Sequence, residues 1–528
     1  MLNRISNLSP RHAWSLWLAI LFITVAVHSL TLTISPTIWQ DEVEIVDYGR
    51  TALWGSDQGW SVNWSVKGRP VLAFNYLGCV LQELACRLTA MTEVGPRLAS
   101  VLGAIFAGTA MLGWFLKRGV KPIAALASAS LLLLDPVFAQ SYRGARVDCW
   151  VFGFIFLTCW LIWLAMAVEG RSGRLRLNLF LVAAGVCLAL AGLCWPSAIL
   201  LVPLVMHEFF SAFRVRFTRK HMVLLLYPLL TLAGSAFVTL LLFLAPVCNS
   251  IMAALQDLNN VVSITSGHAS VLSGMQAVAE SYRLSPWLLL LGLVSFVIPA
   301  NRLLGVAFVL ALLGVIATHP YIHRALYLLP YLLLGFSGII ALLMIHGHSR
   351  PVFLKASLAA LAILLVWSSA LTLGMRTWNA LRQREFRSPD RLMEVAQSSI
   401  GKQAVSVYTH PSEFYYVGRR LGWRQFNFID ADVARNPGIL ANILPQMQYV
   451  ILREGEPGNS QIQEILAQKG FKLLRKIQAG GNRLPAKNGS TQIGYGATGY
   501  GEYLIYVSGS LPAADRQAPR VGTNSSSL

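Results

Sequence analysis

Charge is scarce in this chain. Charged residues make up 13% of the 528 positions while 55% are hydrophobic, against roughly 25% charged in an ordinary soluble domain. A soluble globular protein is thereby excluded, and a polytopic membrane protein is implied. Acidic residues are scarcer than basic ones, 24 Asp and Glu against 43 Lys and Arg, for a net charge of +19. Such a surplus could point to nucleic acid, but no base-stacking or groove-reading motif accompanies it. Lys and Arg instead gather in short loops between apolar runs, the positive-inside pattern of membrane proteins. Cysteine is also sparse: the seven residues have no CxxC spacing and none falls in the polar C-terminal third, so neither a zinc site nor a disulfide framework is supported. No small-residue cleavage site precedes Asp41, and the apolar run from Trp14 to Ile34 is long for a signal-peptide core. The first segment therefore reads as a retained helix.

What the chain does have is apolar runs. With about 20 residues needed to span a bilayer as helix, spans are expected near 14–34, 96–116, 121–138, 149–168, 177–194, 197–213, 222–245, 286–300, 303–318, 324–345 and 352–374. The basic clusters at Arg4 and Arg11, Lys117 to Lys121, Arg171 to Arg176, Arg214 to Lys220, and Arg350 with Lys355 then share one face. That face is cytoplasmic. The sequence thus predicts an α-helical polytopic membrane protein of about 11 to 13 spans, with residues 1–375 as the membrane module and outer loops at 35–95, 135–148, 246–285 and 318–324. Within the first loop, 70–92 reads as an interfacial helix, and 246–285 is long and polar enough to form a lid. Beyond 376, β-rich runs at 404–409, 424–429, 449–452, 471–477 and 503–507 alternate with helical patterns such as 461–468. This alternation predicts a small extracytoplasmic α/β domain over 376–508, followed by a disordered tail, 509–528.

The informative charges are those on the outer face, where the bias should deplete cations. Lys67, Arg69, Arg143, Arg146 and Arg324 nevertheless fall in outer loops, beside Asp41, Glu42 and Asp148. Taken singly, each could be an interfacial anchor or half of an ion pair between loops. Together they suit a phosphate-bearing lipid, since the guanidinium fork binds phosphate oxygens in pairs and a carboxylate can act as general base. Asp41 and Glu42 are adjacent, so one is expected to reach the reaction centre and the other to support it; Glu44 and Asp47 read mainly as solvated. His319 and His323 stand four residues apart and could offer a metal two ligands, but Pro320 between them argues against a regular helix. Carboxylates near phosphate could also hold a divalent cation. Tyr321 and Tyr327 read as interfacial belt residues.

Four stretches taken in order resemble a known superfamily: the acidic pair after the first span; Lys67-Gly68-Arg69-Pro70; Thr92-Glu93-Val94-Gly95-Pro96-Arg97-Leu98-Ala99-Ser100 entering the second span; and Tyr142-Arg143-Gly144-Ala145-Arg146-Val147-Asp148. With Arg324-Ala325-Leu326-Tyr327-Leu328-Leu329-Pro330 they look like the GT-C superfamily of polyprenyl-phosphate-sugar glycosyltransferases, similar in particular to protein O-mannosyltransferases and lipid A aminoarabinose transferases. The likeness covers roughly residues 14–345. Members often carry a double proline where this chain has Pro70 alone, and Ala325 and Leu326 are interposed before Tyr327. The resemblance implies that Asp41, with Glu42 beside it, serves the acceptor hydroxyl as base or orienter. It implies that Arg69, helped by Lys67, and Arg324 contact the donor phosphate, and that Asp148 with Arg143 or Arg146 completes the polar wall.

The expected function is transfer of a sugar from a polyprenyl-phosphate donor to a hydroxyl of a lipid, glycan or protein at the outer face of a membrane. A bacterial inner membrane, with the N-terminus cytoplasmic and the C-terminal domain periplasmic, is the expected setting, and no nucleic-acid partner is expected. A rival reading is a flippase or other transporter of polyprenyl-linked sugars, which needs polar residues along a path through the spans. Another rival is an assembly module acting through its α/β domain. The enzyme reading predicts retained hydrolysis or transfer, weakened at most, when 376–528 is deleted, whereas the module reading predicts complete loss.

Overall fold

A computed structural model describes residues 8–54, 76–167, 173–214, 225–245, 271–318, 322–345, 352–401, 405–427, 438–455, 459–480 and 499–509. Among them eight helices are long and apolar enough to cross a membrane, nine if the bent pair Pro122–Leu134 and Pro136–Arg143 is one span. The chain is a multi-pass membrane protein. Two of the expected spans have a different form: Pro286–Ser295 has only 10 residues, and the last is part of a 31-residue helix, Val352–Arg382, outside the eight.

The chain divides into two compact units, one of Met1–Leu30, Val71–Gly78 and Ala99–Arg376, the other of Thr31–Pro70, Cys79–Leu98 and Thr377–Leu528. The first unit is a helical bundle. Its apolar helices interlock through aromatic contacts such as Phe138 stacked on Phe152 at 5.3 Å. Expected as an outer loop, 135–148 is mostly helix. Asp135 accepts from the backbone N–H groups of Val137 and Phe138, and Pro136 takes the first helical position, where its missing N–H costs nothing. The 56° bend at this point follows from the cap, since one helix ends where the next is nucleated.

The second unit is mixed. Five strands, β1 (Ser406–Thr409), β2 (Arg424–Phe426), β3 (Tyr449–Arg453), β4 (Lys472–Gln478) and β5 (Glu502–Val507), form one sheet in the order β2-β1-β3-β5-β4. β1 pairs in parallel with β2 and β3, while β5 runs antiparallel to β3 and β4. β3 is buried along its whole length and carries Tyr449, Val450, Ile451 and Leu452, as a central strand covered on both faces requires. One core cluster combines Val407, Tyr415, Tyr416, Ile451 and Ile505 from this region with Ile38, Val43, Val46 and Cys86 from far upstream. The Gln40–Trp54 and Tyr76–Leu88 helices thus join the unit's core, and Gly49 is where they meet. A Cβ there would strike the Cys79 carbonyl and come within 2.8 Å of Glu83 Cβ.

Candidate active site

The predicted residues fall in both units. Asp41 and Glu42 open the Gln40–Trp54 helix in the second unit, where the helix N-terminus favours negative charge. Successive helical side chains point about 100° apart, so the two acids cannot share an environment. Asp41 is half-buried and Glu42 fully buried. Glu42 accepts a two-pronged bond from Arg97, at 3.0 Å from Nε and 2.8 Å from Nη2, and a third from the Tyr416 hydroxyl at 3.2 Å. Burial pushes the Glu42 carboxyl above its ordinary range, against the pull of Arg97.

Asp47, read as solvated from the sequence, is completely buried. It lies on the inward face of the same helix and accepts from Arg50 at 2.7 Å and from the Tyr415 hydroxyl at 3.0 Å. Desolvation raises its carboxyl too, opposed by Arg50. Glu83 on the next helix is gripped by both ends of the Arg419 fork, at 2.6 and 2.8 Å, and by Arg87 at 2.7 Å. Lys67 and Arg69 lie outside the described residues.

The remaining candidates sit in the first unit. Asp148, at the start of the Asp148–Met166 helix, accepts at Oδ2 from Arg146 Nε and the Ser141 hydroxyl, both at 2.8 Å, and at Oδ1 from the Tyr327 hydroxyl at 2.8 Å. Tyr327, expected in an interfacial belt, is therefore fully buried and serves this carboxylate. Ala145 adopts a left-handed φ of 54° between the two arginines, a conformation that costs a non-glycine residue about 1 kcal/mol or more. The turn returns Arg146 to Asp148, and the Ser100 hydroxyl holds the Arg146 carbonyl at 2.8 Å. The Arg146 guanidinium also lies 5.6 Å from the centre of the Trp195 ring.

Arg143 is directed differently. It donates to His28 Nδ1, while His28 Nε2 lies 2.6 Å from the Tyr142 hydroxyl. Tyr142 in turn donates to the Leu133 carbonyl at 3.0 Å, so the network assigns the His28 proton to Nε2, which donates to the tyrosine oxygen. His323 is buried within electrostatic reach of Arg146 and Asp148, and Arg324 is half-buried. His319 lies outside the described residues. Among the described residues no group of three or more His, Cys, Asp or Glu side chains is arranged to hold a metal ion.

Arg143, Arg146 and Asp148 therefore form one local cluster with Ser141, Tyr327 and His28, while Asp41 and Glu42 belong to the other unit. His28 and Ser141 were not singled out from the sequence, because their partners are distant or fixed by an unexpected turn. Glu208 was also missed: fully buried, it accepts from Trp114 and Trp163 at 2.8 and 2.7 Å and forms an ion pair with Arg118, whose Nε lies 3.0 Å away.

No protein-family model matches the sequence, and no curated protein matches it. Among solved structures the chain is similar to ArnT from Cupriavidus metallidurans bound to undecaprenyl phosphate, with a TM-score of 0.56 over 93% of this chain and 97% of that one at 12% identity. ArnT from the same organism in the apo state aligns with a TM-score of 0.54 at 11% identity, over 94% and 98% of the two chains. The fold is that of the GT-C glycosyltransferases. Arabinofuranosyltransferase AftD from Mycobacteria also aligns, at a TM-score of 0.50 and 13% identity, over 96% of this chain and 40% of that larger one. The likeness to ArnT spans nearly the whole of both chains, so it includes the C-terminal sheet region as well as the bundle.

Proposed function

We propose that this protein is a glycosyltransferase that moves a sugar from a polyprenyl monophosphate to an acceptor hydroxyl at the outer face of a cell membrane. The observation that carries this reading is the near full-length fold match to ArnT bound to undecaprenyl phosphate. The residue chemistry agrees with it. Asp41 stands half-buried at a helix N-terminus, and Glu42 beside it is fixed by Arg97. In the reaction the acceptor oxygen attacks C1 of the sugar as the C1–O bond to phosphate breaks, inverting the anomeric centre. The hydroxyl proton passes to Asp41, and the bonding electrons leave with polyprenyl phosphate.

Arg69, aided by Lys67, and Arg324 neutralise the charge growing on the departing phosphate, because cations fixed where charge develops are worth most in a water-poor site. Arg143 and Arg146 line the polar wall, and Asp148 orients Arg146. The N-terminus is cytoplasmic, and the unit carrying Asp41 faces the periplasm of a bacterial inner membrane. Product analysis tests this reading: purified protein in nanodiscs is given a panel of polyprenyl-phosphate sugars with lipid, glycan and peptide acceptors. The expected result is free polyprenyl phosphate together with an acceptor glycoside of inverted anomeric configuration. Flipping of the intact donor between leaflets, with no bond cleavage, would refute it in favour of transport.

A further inference from the structure

Within the second unit, the short Tyr415–Leu421 helix makes three consecutive uses of buried acid. Tyr416 donates to Glu42, Tyr415 to Asp47, and Arg419 grips Glu83 with both prongs. These acids lie on the Gln40–Trp54 and Tyr76–Leu88 helices, more than 330 residues upstream in each case. All three are fully buried. Hydrogen bonds to ionised groups in a dry interior are the strong ones, and they fix geometry as well as energy. The Tyr415–Leu421 helix is itself held in place. It ends at Gly422, whose left-handed φ of 75° lets the chain turn directly into β2. Arg419 also lies 3.3 Å from the Tyr415 hydroxyl, so the acid-binding groups brace one another.

We propose that the C-terminal α/β region is the positioning element for Asp41, with Tyr416 and Arg419 as the positioning residues that fix the Gln40–Trp54 helix and its partner. This deepens the reading of Asp41 as base and rests on it. Glu42 is the neighbour of Asp41, so the contacts that set the Glu42 rotamer also set the phase and height of the helix turn that presents Asp41. Removing 377–528 would strip the shared core of Tyr415, Tyr416, Val407 and Ile505 from around Val43 and Val46. Truncation is therefore expected to abolish transfer, where the enzyme reading of the sequence alone predicts activity retained and weakened at most.

The test compares steady-state turnover of a polyprenyl-phosphate sugar by full-length wild type, Tyr416→Phe, Arg419→Gln, Tyr506→Phe and Asp41→Asn. Tyr416→Phe keeps the ring in the core and removes one hydroxyl. It is expected to lower kcat about tenfold with an unchanged donor KM, the scale on which small misplacements of a reacting group act. Arg419→Gln is expected to behave alike. Tyr506→Phe, which loses a hydroxyl bonded to Gln463 in the same region, is expected to retain wild-type kcat. If Tyr416→Phe and Arg419→Gln both keep kcat within about twofold while Asp41→Asn is inactive, the positioning role is overturned and Asp41 stands as base. If Asp41→Asn itself turns over normally, the reading of Asp41 fails and the proposal with it. Equal losses in Tyr416→Phe and Tyr506→Phe would show general destabilisation and also overturn the proposal.

Discussion

Arg97→Leu is the perturbation whose cost can be worked out most closely from the structure. Arg97 and Glu42 are both wholly buried. The guanidinium donates to the two carboxylate oxygens at 3.0 and 2.8 Å and to the Leu32 and Thr33 carbonyls at 2.9 and 3.1 Å. The substitution removes all four bonds and leaves a buried carboxylate with the Tyr416 hydroxyl. Breaking a buried pair in this way costs about 3–5 kcal/mol, most of it the uncompensated charge. Glu42→Leu together with Arg97→Leu removes both charges, so the double variant should recover most of that loss, with a coupling of roughly 2 kcal/mol or more. The assay is protease susceptibility of the full-length protein in nanodiscs across a denaturant series, with cleavage sites mapped to the second unit. A cost below about 1 kcal/mol for Arg97→Leu, or a double variant as unstable as the sum of the singles, would refute the reasoning.

Gly49→Ala should destabilise the second unit by about 1–3 kcal/mol, because its Cβ would drive the Cys79 backbone and Glu83 away; protease mapping as above checks it, and wild-type resistance would contradict it. Tyr327→Phe removes the hydroxyl on Asp148 Oδ1 and should cost about 1.5–3 kcal/mol, seen as a lower thermal midpoint in detergent. Burial raises the carboxyls of Glu42, Asp47 and Glu93. The folded state then holds their protons to higher pH than the unfolded chain, so this contribution to stability is full below the ordinary carboxylate range and lost as pH rises through the raised values. The thermal midpoint should accordingly rise as pH is lowered towards the ordinary carboxylate range, and less so in Glu42→Gln; a midpoint that falls from the start of that acidification would contradict it.

The features visible in the sequence are those carried by local pattern. Runs of apolar residues located the bundle helices, and β-branched and aromatic clusters located the five strands to within about two residues at most ends. The stretch at 135–148 was legible but misread, since Asp135 followed by Pro136 is a helix start as much as a turn. What local pattern could not reveal is pairing across sequence. Nothing around Asp47 signals Tyr415, 368 residues away, and without that partner an acid on an amphipathic helix reads as solvated. Tyr327 reads as a belt residue for the same reason: its partner Asp148 lies 179 residues earlier. His28 sits in a continuous apolar run, and its role depends on Arg143 reaching it from another helix.

The central claim is that Asp41 takes the acceptor proton while polyprenyl phosphate departs. Its most direct test is the rate of polyprenyl phosphate release from one cognate donor by wild type and by Asp41→Asn, with equal folded protein and the same donor affinity established for both. The account predicts a fall of about 10²- to 10⁴-fold in turnover, the usual contribution of a positioned general base. Release at a near wild-type rate from the Asp41→Asn protein would contradict it.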